Sequence, residues 1–301
     1  MRVAMTGASG YLGKHLGSTL TSHGHDVMPI DQRIRPGIEP IVGAQFGGNV
    51  IQADVLLHLA AQRRGADTET TNVRLAEHAT QIAEAMGVRR LIHMSSAGVY
   101  SRDSERPGTV IDDGSTTNPR SGYERSKLRA EQAIDALARG AGIETVHLRP
   151  VSVFGADAAH CLPNLRRLIA RGWLLLPNDS GFINFVHIQD VAEITATLVS
   201  RSSPVFGSYL LSDAARITEV ADALGATLGR KRGYTLVPDS LLDFAARLGD
   251  LAQWLGFRLP LNSESVTAIR EPRIYVSTRV ESELGGWPRL GWRRGLAACP
   301  S

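Results

Sequence analysis

The segment TGASGYLG, residues 6–13, limits most strongly how this chain can fold. Glycines stand at 7, 10 and 13. The apolar run RVAMT (2–6) precedes them and reads as a strand, while Leu12, Leu16 and Leu20 follow at a spacing of four, the period of a helix face. A strand that turns through glycines straight into a helix belongs to a βαβ unit, and the next strand must then run parallel to the first. The pattern repeats. Gly24 stops the helix, and HDVMPID forms a second strand ending at Asp31. DVLLHLAA (54–61) is apolar on both faces, as a central parallel strand requires. A helix over about 72–86 stops at Gly87, VRRLIHMSS (88–96) is the next strand, and a helix over 123–139 stops at Gly140 before IETVHLRPVSVFG. The expected fold class is α/β, with a doubly wound parallel sheet.

The alternation weakens after Gly155. LPNLRRLIARG reads as a helix and NFVHIQDVAEITATLV as a strand entering a helix, while ITEVADALGATLG, PDSLLDFAARLGDLAQWLG and VSTRVESELGGWPRL are helical with Pro and Gly breaks. This predicts a main domain from 1–160 and 184–212, and a smaller, mostly helical substrate lobe from 161–183 and 213–301. Hydrophobic residues make up 43% of the 301, which is ample for a large core. The net charge is only +3, and arginine is spread along the chain in pairs such as Arg63-Arg64, with Arg230-Lys231-Arg232 the one triplet. That is a solvated surface, and no nucleic-acid partner is expected. No apolar run nears the roughly 18 residues of a membrane span, and the first residues read as strand and loop, so a cytoplasmic protein without a membrane partner is expected. Cys161 and Cys299 have no metal spacing, and no metal is expected.

Glycine at 7, 10 and 13 lets the backbone turn tightly and come close to a pyrophosphate, for which the helix start at Tyr11 and Leu12 offers free N–H groups and a partial positive charge. Asp31 lies 18 residues beyond Gly13 at the end of the second strand, where a carboxylate accepts both adenosine ribose hydroxyls. NAD(H) is therefore favoured. Arg33 and Arg35 follow closely and could hold a 2′-phosphate, which keeps NADP(H) as the alternative.

Lys127 is one of three lysines among 33 basic residues, and it sits four residues after Tyr123, on the same helix face. A phenol titrates near ~10, and a neighbouring ammonium lowers that value. A lysine can also reach a ribose with a compact charge, which a planar guanidinium does less well. Ser96 follows the 88–94 strand and so lies at a strand's carboxyl end, where such sheets bind ligands. Capping or turn formation is the expected role of Ser95, and a substrate contact that of Ser96.

These segments together resemble the extended short-chain dehydrogenase/reductases, the family of NAD-dependent sugar epimerases and dehydratases with a Rossmann-like fold. The resemblance runs through TGASGYLG, LLHLAA (56–61), TNV (71–73), SSAGVY (95–100), YERSK (123–127), LRPVSVFG (148–155) and FVHIQDVAE (185–193). It implies a catalytic set of Ser96, Tyr123 and Lys127, with Ser96 singled out because it lies four residues before Tyr100. It also implies cofactor contacts from the glycine loop, Asp31, the backbone of Leu59, Ala60 and Ala61, and Pro150 beside the nicotinamide. Asn72 is implied to be structural, and a homodimer through the helices at about 72–86 and 123–139 is implied as well.

Two departures from the family stand out. The 36–53 segment is short and lacks the Gly-Asp pair that touches adenine in relatives. Ile183 occupies the position at which sugar-nucleotide members often carry an arginine for the diphosphate. The expected function is therefore an NAD(P)-dependent oxidoreductase, a ketoreductase or alcohol dehydrogenase acting on a small, bulky apolar molecule. A sugar-nucleotide 4-epimerase or dehydratase with retained NAD is the alternative, and a non-catalytic dinucleotide sensor is a third reading that the intact Ser-Tyr-Lys set disfavours. Trp173, Leu174–Leu176, Trp254 and Phe257 are candidates for an apolar pocket, although ordinary core accounts for each one singly. His58, His93 and His147 read as core residues within strands.

Overall fold

A computed structural model describes residues 1–30, 45–46, 49–100, 109–156, 161–254, 256, 261–270 and 273–298. In chain order, β1 (Arg2–Thr6), α1 (Tyr11–Ser22), β2 (Asp26–Ile30), β3 (Val55–His58), α2 (Thr68–Ala85), β4 (Arg90–Met94), α3 (Gly122–Ala141) and β5 (Glu144–Pro150) alternate as the sequence predicts. They are followed by α4 (Cys161–Arg171), α5 (Ile188–Ser200), β6 (Gly207–Leu211), α6 (Ile217–Thr227), α7 (Asp239–Trp254), α8 (Ser263–Ile269), α9 (Thr278–Leu284) and α10 (Trp292–Ala298). The six strands form one sheet in the order β2-β1-β3-β4-β5-β6, with every pairing parallel.

Alternate residues of the strands feed two cores. Val3, Met5, Leu57, Ile92 and Val146 pack with Leu16 of α1 and Val191 of α5. Ala4, Leu56 and Leu91 pack on the other face with Ala76 of α2 and Ile134 of α3. This division into two faces is what doubly wound means physically: strands apolar on both sides, with helices covering each. A third core joins Phe154 and Phe185 to Leu165 of α4, Val220 of α6 and Trp292 of α10.

Buried polar groups tie the sheet to distant chain. The guanidinium of Arg90, wholly buried, donates to Glu144 Oε2 at 2.7 Å and to the carbonyls of Leu198, Arg201 and Ser203. Asp190 accepts the N–H groups of Leu290 (2.7 Å) and Gly291 (3.2 Å), and Asp213 accepts that of Trp292 at 2.5 Å.

One sequence reading is corrected here. The helix α3 runs past Gly140 and ends at Gly142, whose φ of +66° supplies the left-handed C-cap. The short 36–53 segment falls largely outside the described residues, and its described part includes a two-residue antiparallel ladder, Gln45–Phe46 with Asn49–Val50.

Candidate active site

The glycine loop runs from the carboxyl end of β1 into α1. Gly7 takes a φ of +71°, and a Cβ on it would stand 2.8 Å from Ala60 N, so the turn is pressed against the chain leaving β3. A Cβ on Gly13 would strike the Gly7 carbonyl and lie 2.6 Å from the Ala8 backbone. These two glycines close the turn. Gly10 is the N-cap of α1 and, having no side chain, makes no cap bond to the helix's first N–H groups. Gly7, Gly10, Tyr11, Leu12 and Gly13 line one end of a cavity of about 1260 Å³. A bare helix N-terminus over a glycine turn is a cradle for an anion.

Ser96, Tyr123 and Lys127 line the same cavity. Tyr123 is held at the start of α3 by a reciprocal cap: Ser121 Oγ accepts from Glu124 N (3.2 Å), and Glu124 Oε2 accepts from Ser121 N (2.9 Å). Ser96 begins a 3₁₀ turn, Ala97–Val99, and its Oγ accepts the Gly98 N–H at 3.1 Å. Gly98 must be small, since a Cβ there would lie 2.8 Å from Glu124 Cγ. The serine turn is thus packed on the helix that carries the tyrosine. Lys127 is buried and donates to the Met94 carbonyl at 2.7 Å.

The titration of this set differs from the sequence expectation. Burial raises the Tyr123 phenol above its ordinary value, and the opposing pull comes from Arg63. Burial lowers the Lys127 ammonium to about 8, against the pull of Glu131. Lys127 is engaged with Met94, and in this state the predicted lowering of the phenol by lysine is not found. The assignment of the two serines also changes. Ser96 is the capping residue, while Ser95 Oγ is buried on the cavity wall without a hydrogen-bond partner. Capping does not disable Ser96: its Oγ accepts one bond and keeps its proton to donate.

Leu59, Ala61 and Pro150 line the cavity. Ala60 does not. Its N–H lies 3.3 Å from Thr6 Oγ1, and its backbone lies behind Gly7. Asp31, with Arg33, Arg35 and Phe257, lies outside the described residues. Asn72 is a strut, as expected: it brackets the Gln62 backbone at 2.7 and 2.9 Å and donates to Ser126 Oγ at 2.8 Å. Trp173, Leu174 and Leu175 line the cavity, Leu176 is core, and Trp254 is 81% exposed and belongs to neither.

Sequence reasoning missed Arg63, which it placed on the solvated surface, and the cap of Tyr123, whose Ser-x-x-Glu spacing was readable. The three histidines are buried as expected, with His58 Nδ1 2.8 Å from Thr6 Oγ1 and His147 Nε2 3.0 Å from Asp135 Oδ1, but His93 Nε2 has no partner. Among the described residues, no three His, Cys, Asp or Glu side chains gather as a metal would need.

Residues 3–209 match the sequence profile of the NAD dependent epimerase/dehydratase family. The chain belongs to that family. Its likeness extends to a Stigmatella aurantiaca protein named 4-hydroxy-2-methyl-3-oxo-4-farnesyl-3,4-dihydroquinoline-1-oxide ketoreductase, 29% identical over 99% of this chain and 95% of the relative. It also extends to a 2-alkyl-3-oxoalkanoate reductase of Stenotrophomonas maltophilia, 24% identical over 98% and 97% of the two chains. Among solved structures, UDP-glucuronic acid 4-epimerase from Bacillus cereus in complex with NAD superposes with a TM-score of 0.70 at 17% identity, covering 99% of this chain and 97% of that one. At that identity the likeness establishes the Rossmann-like fold alone. The protein is an NAD-dependent enzyme of this family. Its residues fit the cofactor on two observations: the cradle at Gly7, Gly10 and Gly13, where a Cβ on Gly7 or Gly13 would strike backbone, and the Ser95 hydroxyl, buried on the cavity wall without a partner among the described residues.

Proposed function

We propose that the protein is a ketoreductase or alcohol dehydrogenase acting on a small molecule with a bulky apolar body. The observation that carries this reading is the apolar part of the cavity lining. Leu165, Leu168, Trp173, Phe182, Ile217 and Ile269 form it, and Ile183 stands where a diphosphate-gripping arginine would be needed. Among the described lining residues the only cations are Arg63, which acts on the Tyr123 phenol, and Lys127. An apolar wall with few charged groups suits an apolar substrate and leaves a sugar nucleotide's phosphates poorly matched.

When bound, NAD(H) supplies or accepts the hydride. Gly7, Gly10 and Gly13 hold its pyrophosphate, and Asp31 its adenosine ribose, which favours NAD(H) over NADP(H). In the reducing direction Tyr123 gives its phenol proton to the carbonyl oxygen, and in the oxidising direction it takes the alcohol's proton. Ser96 donates to the same oxygen and orients it. Lys127 leaves the Met94 carbonyl to hold the nicotinamide ribose, and its charge then steadies the phenolate. The lobe of 161–183 and 213–301 supplies the apolar wall.

Purified protein given NADH and a panel of hydrophobic ketones should consume NADH, while UDP-sugars should not be turned over. Tightly retained NAD in the isolated protein, together with epimerisation of a UDP-sugar, would overturn the proposal in favour of the epimerase.

A further inference from the structure

The relay of Tyr123, Lys127 and Ser96 leaves one charged group of the cavity without a task. Arg63 lines the cavity and is also exposed, so it stands where the cavity opens to solvent. Its charge draws the Tyr123 phenol downward, against the effect of burial. Solvent and salt screen exposed charges beyond about 10 Å, so the two side chains are close neighbours.

A built loop sets the place of Arg63. The preceding residue, Gln62, is bracketed by Asn72, and Asn72 donates to Ser126 Oγ at 2.8 Å. Ser126 Oγ in turn donates to the Tyr123 carbonyl at 2.6 Å. Two side chains thus tie the backbone before Arg63 to the helix turn that carries the tyrosine. On the other side, Gln62 Nε2 donates to the Arg64 carbonyl at 2.9 Å and Thr68 Oγ1 to the Gly65 carbonyl at 2.8 Å. Gly65 has a φ of +130°, and a Cβ on it would strike Gln62 Nε2. The 62–65 loop is closed from both sides. Among the described lining residues there is no Asp or Glu. The cavity therefore combines an apolar wall with a fixed cation beside the point where the reacting oxygen must sit. A guanidinium presents five N–H donors in a planar fork, which matches a carboxylate and leaves donors for a ligand whatever else it touches.

We propose, resting on the ketoreductase reading above, that Arg63 grips a carboxylate which the substrate carries close to its reacting carbon. The substrate is then an oxo acid, or the matching hydroxy acid, with a long apolar body. The body lies along Leu165, Leu168 and Phe182, the carbonyl oxygen meets Tyr123 and Ser96, and the carboxylate stays at the open side, where it keeps part of its hydration. A carboxylate on Arg63 also offsets the pull of the guanidinium on the phenol, so Tyr123 retains the proton that reduction requires.

The test is calorimetric titration of the intact, NADH-saturated protein with 2- and 3-hydroxydodecanoate and with their methyl esters. With NADH already bound, these alcohols bind without being oxidised. At least one acid should bind roughly tenfold tighter than its ester, as a charge-assisted pair at an exposed site allows. Arg63→Gln should erase that preference and Arg63→Lys should keep part of it, with ester affinity reporting that the cavity is intact. Equal binding of acid and ester by the parent in both pairs would overturn the proposal. A preference that Arg63→Gln leaves unchanged would overturn it too, by assigning the carboxylate to Lys127. So would a kept preference with collapsed NADH affinity, which would assign Arg63 to the cofactor. The ketoreductase reading fails by a different result: with NAD in place of NADH, an acid held through Arg63 that forms no NADH leaves the carboxylate site standing and removes the dehydrogenase.

Discussion

Tyr123, Lys127 and the two serines have separable tasks, and single substitutions read them apart. Tyr123→Phe should leave NADH binding nearly unchanged, since ring and cap remain, and should lower turnover roughly 10²–10⁴-fold, the usual range for a lost general acid. Equal turnover in parent and variant would mean that the proton comes from elsewhere. Ser96→Ala removes a cap and should cost about 1 kcal/mol of stability as well as turnover. Ser95→Ala removes an unpartnered buried hydroxyl, so chemical unfolding should show no loss, whereas NADH titration should show weaker binding. Lys127 adds a pH signature. Its folded value of about 8 is depressed by burial, so the ammonium is present below that pH and is lost above it. NADH affinity should fall as pH rises through about 8, and Lys127→Met should bind weakly with a flat profile. Tyr123 and Lys127 were legible because their spacing alone puts them on one helix face, and Ser96 because it follows a strand's carboxyl end. Arg63 was not, because nothing in an exposed arginine pair says which member overlooks a cavity, and the serine roles turn on hydroxyl directions that no spacing encodes.

At the scale of elements, α1 contains two glycines that should behave in opposite ways. Gly13→Ala forces a methyl into the Gly7 carbonyl and the Ala8 backbone. It should reopen the turn and cost tenfold or more in NADH affinity. Gly17→Ala, whose Cβ would meet Met5 Cε at an ordinary 3.8 Å, should stabilise by roughly 0.5–1 kcal/mol through helix propensity. A sequence reader sees two glycines four residues apart and cannot tell them apart without the backbone that faces each. The sheet carries its own pH dependence. His58, His93 and His147 stand side by side on β3, β4 and β5. Burial holds His58 at about 3 and His93 well below its ordinary value, with Lys127 next among the causes for both; His78 also faces His58, and His147 and Arg149 also face His93. Between about 3 and 6.5 the unfolded chain binds protons that these rings refuse, so stability falls as pH falls through that window. Asp213, raised by burial to about 6, acts in the opposite sense, but it is one group against two. Thermal melts should therefore drop between pH 7.5 and 5, and His93→Leu should flatten that slope. The strand-helix order was readable from periodicity, whereas α3's true stop was not, since Gly140 and Gly142 differ only in which of them adopts the left-handed backbone.

For the whole molecule, the family resemblance leads us to propose a dimer through α2 and α3, whose mutual packing includes ion pairs from Glu69 to Arg125 and Arg129. Light scattering at micromolar concentration should give twice the 32.5 kDa chain mass, and a monomer would remove this proposal while leaving the chemistry untouched. The Asp190 and Asp213 contacts bear on how the chain reaches its final form. The sheet is complete once β6 is in place, near residue 211, yet among the described residues both carboxylates take backbone N–H groups only from residues 290–292. During synthesis these acids wait for some eighty residues to emerge before they are satisfied. The N-terminal two thirds can therefore assemble while later residues are still being made, and the fold is sealed only when the turn at 290–292 closes over the two carboxylates.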